Sequence, residues 1–237
     1  MMGVVLCAGL GTRLRPLTDH LPKPLIEVAG RPMVHYPLGL LRAAGVTDIV
    51  LNAHYRADQL QAALGDGRRW GLRLRYSVEP SLLGTGGGLR HLLPMIDGER
   101  FLVLNADQIT DVDLGALIEI HRRRDAIGTL AVVDGDTSPA YRRLTVSNGL
   151  LQGLAAPDVV TGPIFTGVQV VERRLFRSHC PADPACIVRD YLLPAIAGGE
   201  TVAAHHHPGV WLDTGDRAAL QHAEERLRRL PPLAALE

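Results

Sequence analysis

The run Val4-Val5-Leu6 is short, apolar and unbroken, which reads as a first strand buried on both faces. It leads directly into Cys7-Ala8-Gly9-Leu10-Gly11-Thr12-Arg13-Leu14-Arg15-Pro16-Leu17-Thr18. A buried strand that delivers a glycine loop constrains the chain strongly, because open α/β sheets bind ligands at the C-terminal ends of their strands. Two glycines with one residue between them let the backbone come close to a ligand and leave N–H groups free to point at it. Arg13 and Arg15 add guanidinium forks that suit phosphate.

Ten residues past Arg13 stands Pro22-Lys23-Pro24, where two prolines favour an extended chain that aims Lys23 in one direction. Lys23 is the only lysine; the other 24 of the 25 basic residues are arginine. An ammonium is a compact point charge that arginine does not replace geometrically. Lys23 is therefore expected in a site, against the plainer alternative of a solvated surface lysine.

The remainder alternates between strand and helix patterns. Strands are expected at 48–52, 72–78, 101–105 and 128–133, and helices at 33–44, 57–64 and 114–124. Residues 9–24 read as a long functional loop, and the glycine-rich run after Glu79-Pro80 opens a helix reaching about residue 96. Short strands are expected at 141–146 and 150–154 around the Asn148-Gly149 turn. A strand starts at Phe165, a short helix spans 172–178 and a longer one 186–196. His205-His206-His207 lies in a strand over 201–207, read as solvated or pocket-edge residues. An amphipathic helix spans 216–230. This is the pattern of one α/β domain: a mostly parallel mixed central sheet, Rossmann-like, flanked by helices. The domain is expected over 1–230 with a tail at 231–237, whose Leu236-Glu237 resembles a cloning remnant.

A formal net charge of zero argues against a general nucleic-acid or anionic-membrane binder. Three cysteines, Cys7, Cys180 and Cys186, show no metal-type spacing and suggest reduced thiols in a cytoplasmic protein. No apolar run reaches the ~18 residues that span a bilayer. The P-loop motif G-x-x-x-x-G-K-[ST] is absent, and Leu14 breaks the dinucleotide fingerprint G-x-G-x-x-G.

L-x-A-G-x-G-T-R-L-x-P-L-T over Leu6–Thr18, followed by P-K-P-L over Pro22–Leu25, resembles the signature of the sugar-1-phosphate nucleotidylyltransferases. The likeness extends over most of the chain. Glu79-Pro80 with Gly84-Thr85-Gly86 resembles the family's base-contacting segment, and Asn105-Ala106-Asp107 resembles N-G-D with alanine for glycine. Phe165-Thr166-Gly167-Val168 resembles the sugar-pocket segment, and Trp211-Leu212-Asp213-Thr214-Gly215 resembles W-x-D-x-G.

The resemblance implies that an NTP and a sugar 1-phosphate give an NDP-sugar and pyrophosphate with Mg²⁺. Arg13 and Lys23 would be catalytic. Leu6, Ala8, Gly9, Gly11, Thr12, Arg13, Glu79, Gly84, Thr85 and Gly86 would bind nucleotide. Asn105, Thr166 and Gly167 would meet the sugar, and Asp107 and Asp213 would hold the metal. UTP and GTP are the favoured donors. A phosphocholine-type cytidylyltransferase, a non-catalytic nucleotide-sugar binder and a D-x-D glycosyltransferase using Asp111 and Asp113 stay open. For Asp113 the preferred reading is a helix N-cap.

Overall fold

The computed structural model describes residues 1–134, 141–177 and 179–237. In chain order the elements are β1 (Met2–Leu6), β2 (Glu27–Val28), β3 (Arg31–Pro32), α1 (His35–Ala43), β4 (Asp48–Ala53), α2 (Ala57–Leu64), β5 (Arg73–Val78), α3 (Gly84–Leu92), β6 (Arg100–Asn105) and β7 (Gln108–Thr110). They continue as α4 (Leu114–Arg123), β8 (Gly128–Val133), β9 (Leu144–Ser147), β10 (Leu150–Leu154), β11 (Ile164–Glu172), α5 (Leu193–Ala197), β12 (Val202–His206), β13 (Trp211–Asp213) and α6 (Arg217–Leu227).

A nine-stranded sheet runs in the order β5-β4-β1-β6-β11-β8-β12-β10-β9. The four strands from β5 to β6 are parallel to one another. β11 then runs antiparallel to both β6 and β8, and β12 runs parallel to β8. The parallel half needs helical crossovers, which α1, α2 and α3 supply. Alternation sorts the central strands onto two faces. Val5, Leu51, Leu102 and Leu104 pack on one side with α1 and α2. Val4, Val50, Phe101 and Val103 pack on the other with α3 and the helical stretch from 187 to 197. Both faces are covered, so these strands read as continuous apolar runs.

Most expected elements are found in the expected places, with local differences: the helix expected to reach about residue 96 ends at Leu92 and passes into a 3₁₀ turn at Leu93–Met95, and the strand expected at 141–146 is found at Leu144–Ser147. Residues 9–24 hold 3₁₀ turns at Thr12–Leu14 and Leu17–Asp19, with a third at Lys23–Leu25. The helix expected at 186–196 divides into a π-helical stretch, Ile187–Leu192, and α5. Of the short helix expected at 172–178, Arg173–Phe176 is a 3₁₀ turn and residue 178 lies outside the described residues. Asp113 is the N-cap of α4, its carboxylate accepting from Ala116 N–H at 2.9 Å. Beyond α6 the chain packs back on the fold: Leu236 is fully buried and Trp70 Nε1 donates to the Glu237 carbonyl at 2.8 Å.

Candidate active site

β1 and β6 end side by side, with Leu6 in register with Asn105. Their C-terminal ends carry the glycine loop and Asn105-Ala106-Asp107 to one place. Gly11 holds the loop turned back at φ 65°, in the left-handed region, and a Cβ there would lie 2.8 Å from Thr18 Cγ2. The Thr18 hydroxyl closes the loop by donating to the Gly11 carbonyl at 2.9 Å. A cleft of about 520 Å³ opens here. Leu6, Ala8, Gly9, Gly11, Thr12 and Arg13 line it from the loop, and Gly84 and Thr85 face it from the start of α3. Lys23, Asn105 and Asp107 lie along it as well.

Lys23 is buried, its side chain only 11% exposed, and its ammonium donates to Asp107 Oδ2. This excludes the solvated-surface alternative. Asp107 is held from behind: Thr214 N–H and the Thr214 hydroxyl both donate to the Asp107 carbonyl, at 3.1 and 2.8 Å. Ala106 keeps an ordinary φ, because the non-glycine residues with positive φ among those described are Ala29, Arg56, Asp125 and Asn148. The extra methyl group therefore fits this turn without left-handed strain. Ala106 N–H donates to the Leu6 carbonyl at 3.1 Å, which ties the two strand ends together.

A second, wider cleft of about 920 Å³ adjoins the first and shares Arg13 with it. Trp211, Asp213, Tyr141, His206, His207, His222 and Arg226 line it. β13 pairs antiparallel with β7, which sets Asp213 opposite Gln108. Gln108 Nε2 donates to Asp107 Oδ1 at 3.1 Å and to Asp213 Oδ1 at 3.0 Å, so one amide links the carboxylates of the two clefts. Tyr141 donates to Asp213 Oδ2 at 2.6 Å. Arg13 reaches the same corner, since a Cβ on Gly215 would lie 2.8 Å from Arg13 Nη2 and 3.0 Å from Asp213 Oδ2.

Other expected residues stand differently. Glu79 lines the first cleft but is 2% exposed, with Oε1 accepting from Asn52 Nδ2 at 2.6 Å and Oε2 from Leu83 N–H at 3.2 Å. Gly86 turns away: its N–H donates to the Ala185 carbonyl, and Tyr191 fills the space a side chain would take. Thr166 is fully buried and donates its hydroxyl to the Ala131 carbonyl at 2.8 Å, so that hydroxyl is directed into the sheet and not toward a cleft. Gly167 packs on the Asn105 amide, where a Cβ would come within 2.7 Å of Nδ2. Asp111 is bound to the 207–210 turn, accepting from Val210 N–H at 2.6 Å and lying 2.8 Å from His207 Nε2. His207 is consequently buried rather than solvated, whereas His206 is exposed beside Asp134. Cys7 faces the core, and burial, with the Asp107 charge adding to it, pushes its thiol far above the usual range. Such a thiol is inert as a nucleophile.

Residues 2–142 match the family model described as nucleotidyl transferase. The chain belongs to the nucleotidyl transferase family. It is 33% identical over 232 residues to N-acetylmuramate alpha-1-phosphate uridylyltransferase from Neisseria meningitidis serogroup B, covering 94% of this chain and 97% of that one. It is 42% identical over 223 residues to mannose-1-phosphate guanyltransferase from Aspergillus fumigatus, covering 91% of this chain but 61% of that protein. Among solved structures, HddC from Yersinia pseudotuberculosis superposes with a TM-score of 0.82 at 25% identity, over 96% of this chain and 100% of that one.

In this nucleotidyl transferase, three contributors escaped the sequence reading: Asn52, Gln108 and Tyr141. Asn52 carried a signal, since it is a polar residue at the C-terminal end of a buried parallel strand. Its Oδ1 accepts from Cys7 N–H at 2.7 Å while its Nδ2 holds Glu79, so it fastens the glycine loop to the Glu79 segment. Among the described residues, no helix is long and apolar enough to cross a membrane.

Proposed function

We propose that this nucleotidyl transferase moves a nucleoside monophosphate from UTP or GTP to a sugar 1-phosphate, releasing pyrophosphate, with Mg²⁺ as its cofactor. One observation carries the reading: two clefts meet at a cluster made of Lys23, Asp107, Asp213 and Arg13, which come from four separate segments. The reaction needs two anionic substrates brought end to end, and the junction holds the charges to neutralise them.

The glycine loop would cradle the triphosphate in the narrower cleft, and the acceptor would enter from the wider one. A phosphate monoester is already largely ionised near pH 7, so the attacking oxygen needs no base. The barrier is the meeting of two anions, and catalysis is positioning with charge neutralisation. Lys23 would bring an ammonium to the α-phosphoryl group, and Arg13 would draw charge toward the leaving pyrophosphate. Glu79 and Asn52 fix the Gly84–Thr85 wall from behind.

The cation site fits its ligand chemically. Asp107 and Asp213 converge on one amide, and Mg²⁺ takes a few carboxylates together with phosphate oxygens and water. When bound, the cation would neutralise charge on the phosphoryl group and orient it. The same reading takes residues 1–230 as one catalytic domain with 231–237 as its tail. It suits a cytoplasmic setting, consistent with free Cys7, Cys180 and Cys186.

The test is pyrophosphate release with Mg²⁺ across UTP, GTP, CTP, dTTP and ATP, each against several sugar 1-phosphates and phosphocholine. One strong combination with a sugar 1-phosphate establishes the reaction and names both substrates. Turnover with phosphocholine and CTP alone overturns the sugar assignment. A blank matrix with nucleotide-sugar binding intact indicates a binding protein instead.

A further inference from the structure

Gln108 stands between the two carboxylates and is only half satisfied. Its Nε2 donates to Oδ1 of both Asp107 and Asp213, yet its Oε1 is buried with no hydrogen-bond partner among the described residues. The other carboxylate oxygens are engaged as well, Asp107 Oδ2 by Lys23 and Asp213 Oδ2 by Tyr141. The antiparallel pairing of β7 with β13 sets Gln108 opposite Asp213, which fixes the backbone of both residues. An unpartnered buried acceptor costs free energy in the state that leaves it so, and a state of the site that gives it a partner is favoured by that amount.

An amide has an oxygen end and a nitrogen end of nearly equal size, so a half-turn about Cγ–Cδ exchanges them within one space. An NH₂ group suits a pair of anions, and a carbonyl oxygen suits a cation. We propose that Gln108 is the third protein group of the cation site. Its NH₂ bridges the carboxylates when no cation lies between them, and its Oε1 turns to the cation when one does. This rests on the assignment of Asp107 and Asp213 as metal ligands given above. Amide oxygens are ordinary neutral ligands for hard divalent cations.

The experiment titrates the full chain with Mn²⁺, following the EPR signal of the free ion, with and without an uncleavable UTP or GTP analogue. Wild type is compared with Asp107→Ala, Gln108→Leu and Gln108→Glu, and thermal melts confirm that each is folded. Asp107→Ala reports on the metal assignment alone: binding retained there overturns that assignment whatever Gln108 does. Gln108→Leu is expected to weaken Mn²⁺ binding about tenfold, the lower end of what loss of a supporting group costs. Gln108→Glu is expected to match or exceed wild type, because it supplies an oxygen and a charge but cannot donate. Mn²⁺ binding by Gln108→Leu within about twofold of wild type overturns the proposal. So does a Gln108→Glu variant weakened as much as Gln108→Leu, which marks a role through NH₂ donation only. Should Gln108→Leu not fold, Gln108→Met keeps the length without the oxygen and carries the same expectation.

Discussion

Lys23 and Asp107, 84 residues apart in sequence, form an ion pair along the floor of the narrower cleft. Two prolines flank the lysine, and the aspartate follows the end of the buried parallel strand β6. Each group is preset for a partner of opposite sign, and each exchanges the other for substrate or cation in the proposed reaction. Lys23→Ala should raise the barrier by about 3 kcal/mol or more, as loss of one preorganised donor does, which is a rate loss of a hundredfold or more. Lys23→Arg should recover little of it, because a planar guanidinium does not fit an enclosed ammonium position. Single-turnover pyrophosphate release measures both variants, and near-normal turnover in Lys23→Ala removes Lys23 from the chemistry.

Two aspartate pairs compete for the catalytic role, and the geometry separates them. Asp107 and Asp213 face the junction of the clefts, whereas Asp113 caps α4 and Asp111 anchors the 207–210 turn. Asp113→Ala should therefore lower stability by about 1 kcal/mol and leave turnover intact. Asp107→Ala and Asp213→Ala should abolish turnover, and Asp107→Ala should also lower thermal stability, because it leaves the buried Lys23 ammonium without its carboxylate. Melting curves read beside activity decide it, and loss of activity in Asp113→Ala would revive the D-x-D alternative.

Gly88 is the buried contact that lets Glu79 lie where it does. A Cβ at this position would come within 2.5 Å of Glu79 Oε1 and 2.9 Å of Asn52 Nδ2. Gly88→Ala should displace that pair and cost about 1–3 kcal/mol of stability, the usual range for overpacking. The apparent KM for the nucleotide should rise, because Asn52 also holds Cys7 N–H of the glycine loop. A variant with wild-type melting and unchanged KM would show that the Glu79–Asn52 link does not shape the cleft.

His121 gives the fold a predictable acid response. It is buried between Thr129 at 2.9 Å and Glu172 at 3.2 Å, and Arg100 shares the same Glu172 oxygen at 3.0 Å. Burial lowers its pKa below 6.5, outweighing Glu172, while Arg100 and Arg174 lower it further. The unfolded chain therefore binds the proton more readily, and stability rises with pH through this window. The contribution is complete above the unfolded value near 6.5 and is lost as pH falls toward the lowered folded value. The slope is at most about 1.4 kcal/mol per pH unit for one proton. Denaturant midpoints between pH 7.5 and 5 should fall in wild type and fall less steeply in His121→Gln, and parallel curves would discount His121.

Local signals carried much of the architecture and the centre of the site. Val4-Val5-Leu6 and Phe101–Leu104 are apolar at every position because helices cover both faces of their strands, and that pattern is visible in a single sequence. The lone lysine between prolines and the aspartate after a buried strand were equally visible. Gln108 and Tyr141 were not, since neither stands in a pattern of its own. Gln108 acquires its place only when β7 pairs with β13, more than a hundred residues downstream. Thr166 misled for the complementary reason: its segment was recognisable, but the direction of its hydroxyl is set by the neighbouring β8.

The wall formed by Gly84 and Thr85 is stitched to a distant part of the chain. Ala185 N–H donates to the Leu83 carbonyl, Gly86 N–H to the Ala185 carbonyl and Ile187 N–H to the Thr85 hydroxyl. Tyr191 fills the space beside Gly86. Residues 83–87 and 185–191 thus form a single packed unit despite the hundred residues between them. A graft that carries only the first segment from another member of the family would bring the edge of the wall without its backing. Exchanges between such enzymes should succeed when both segments travel together.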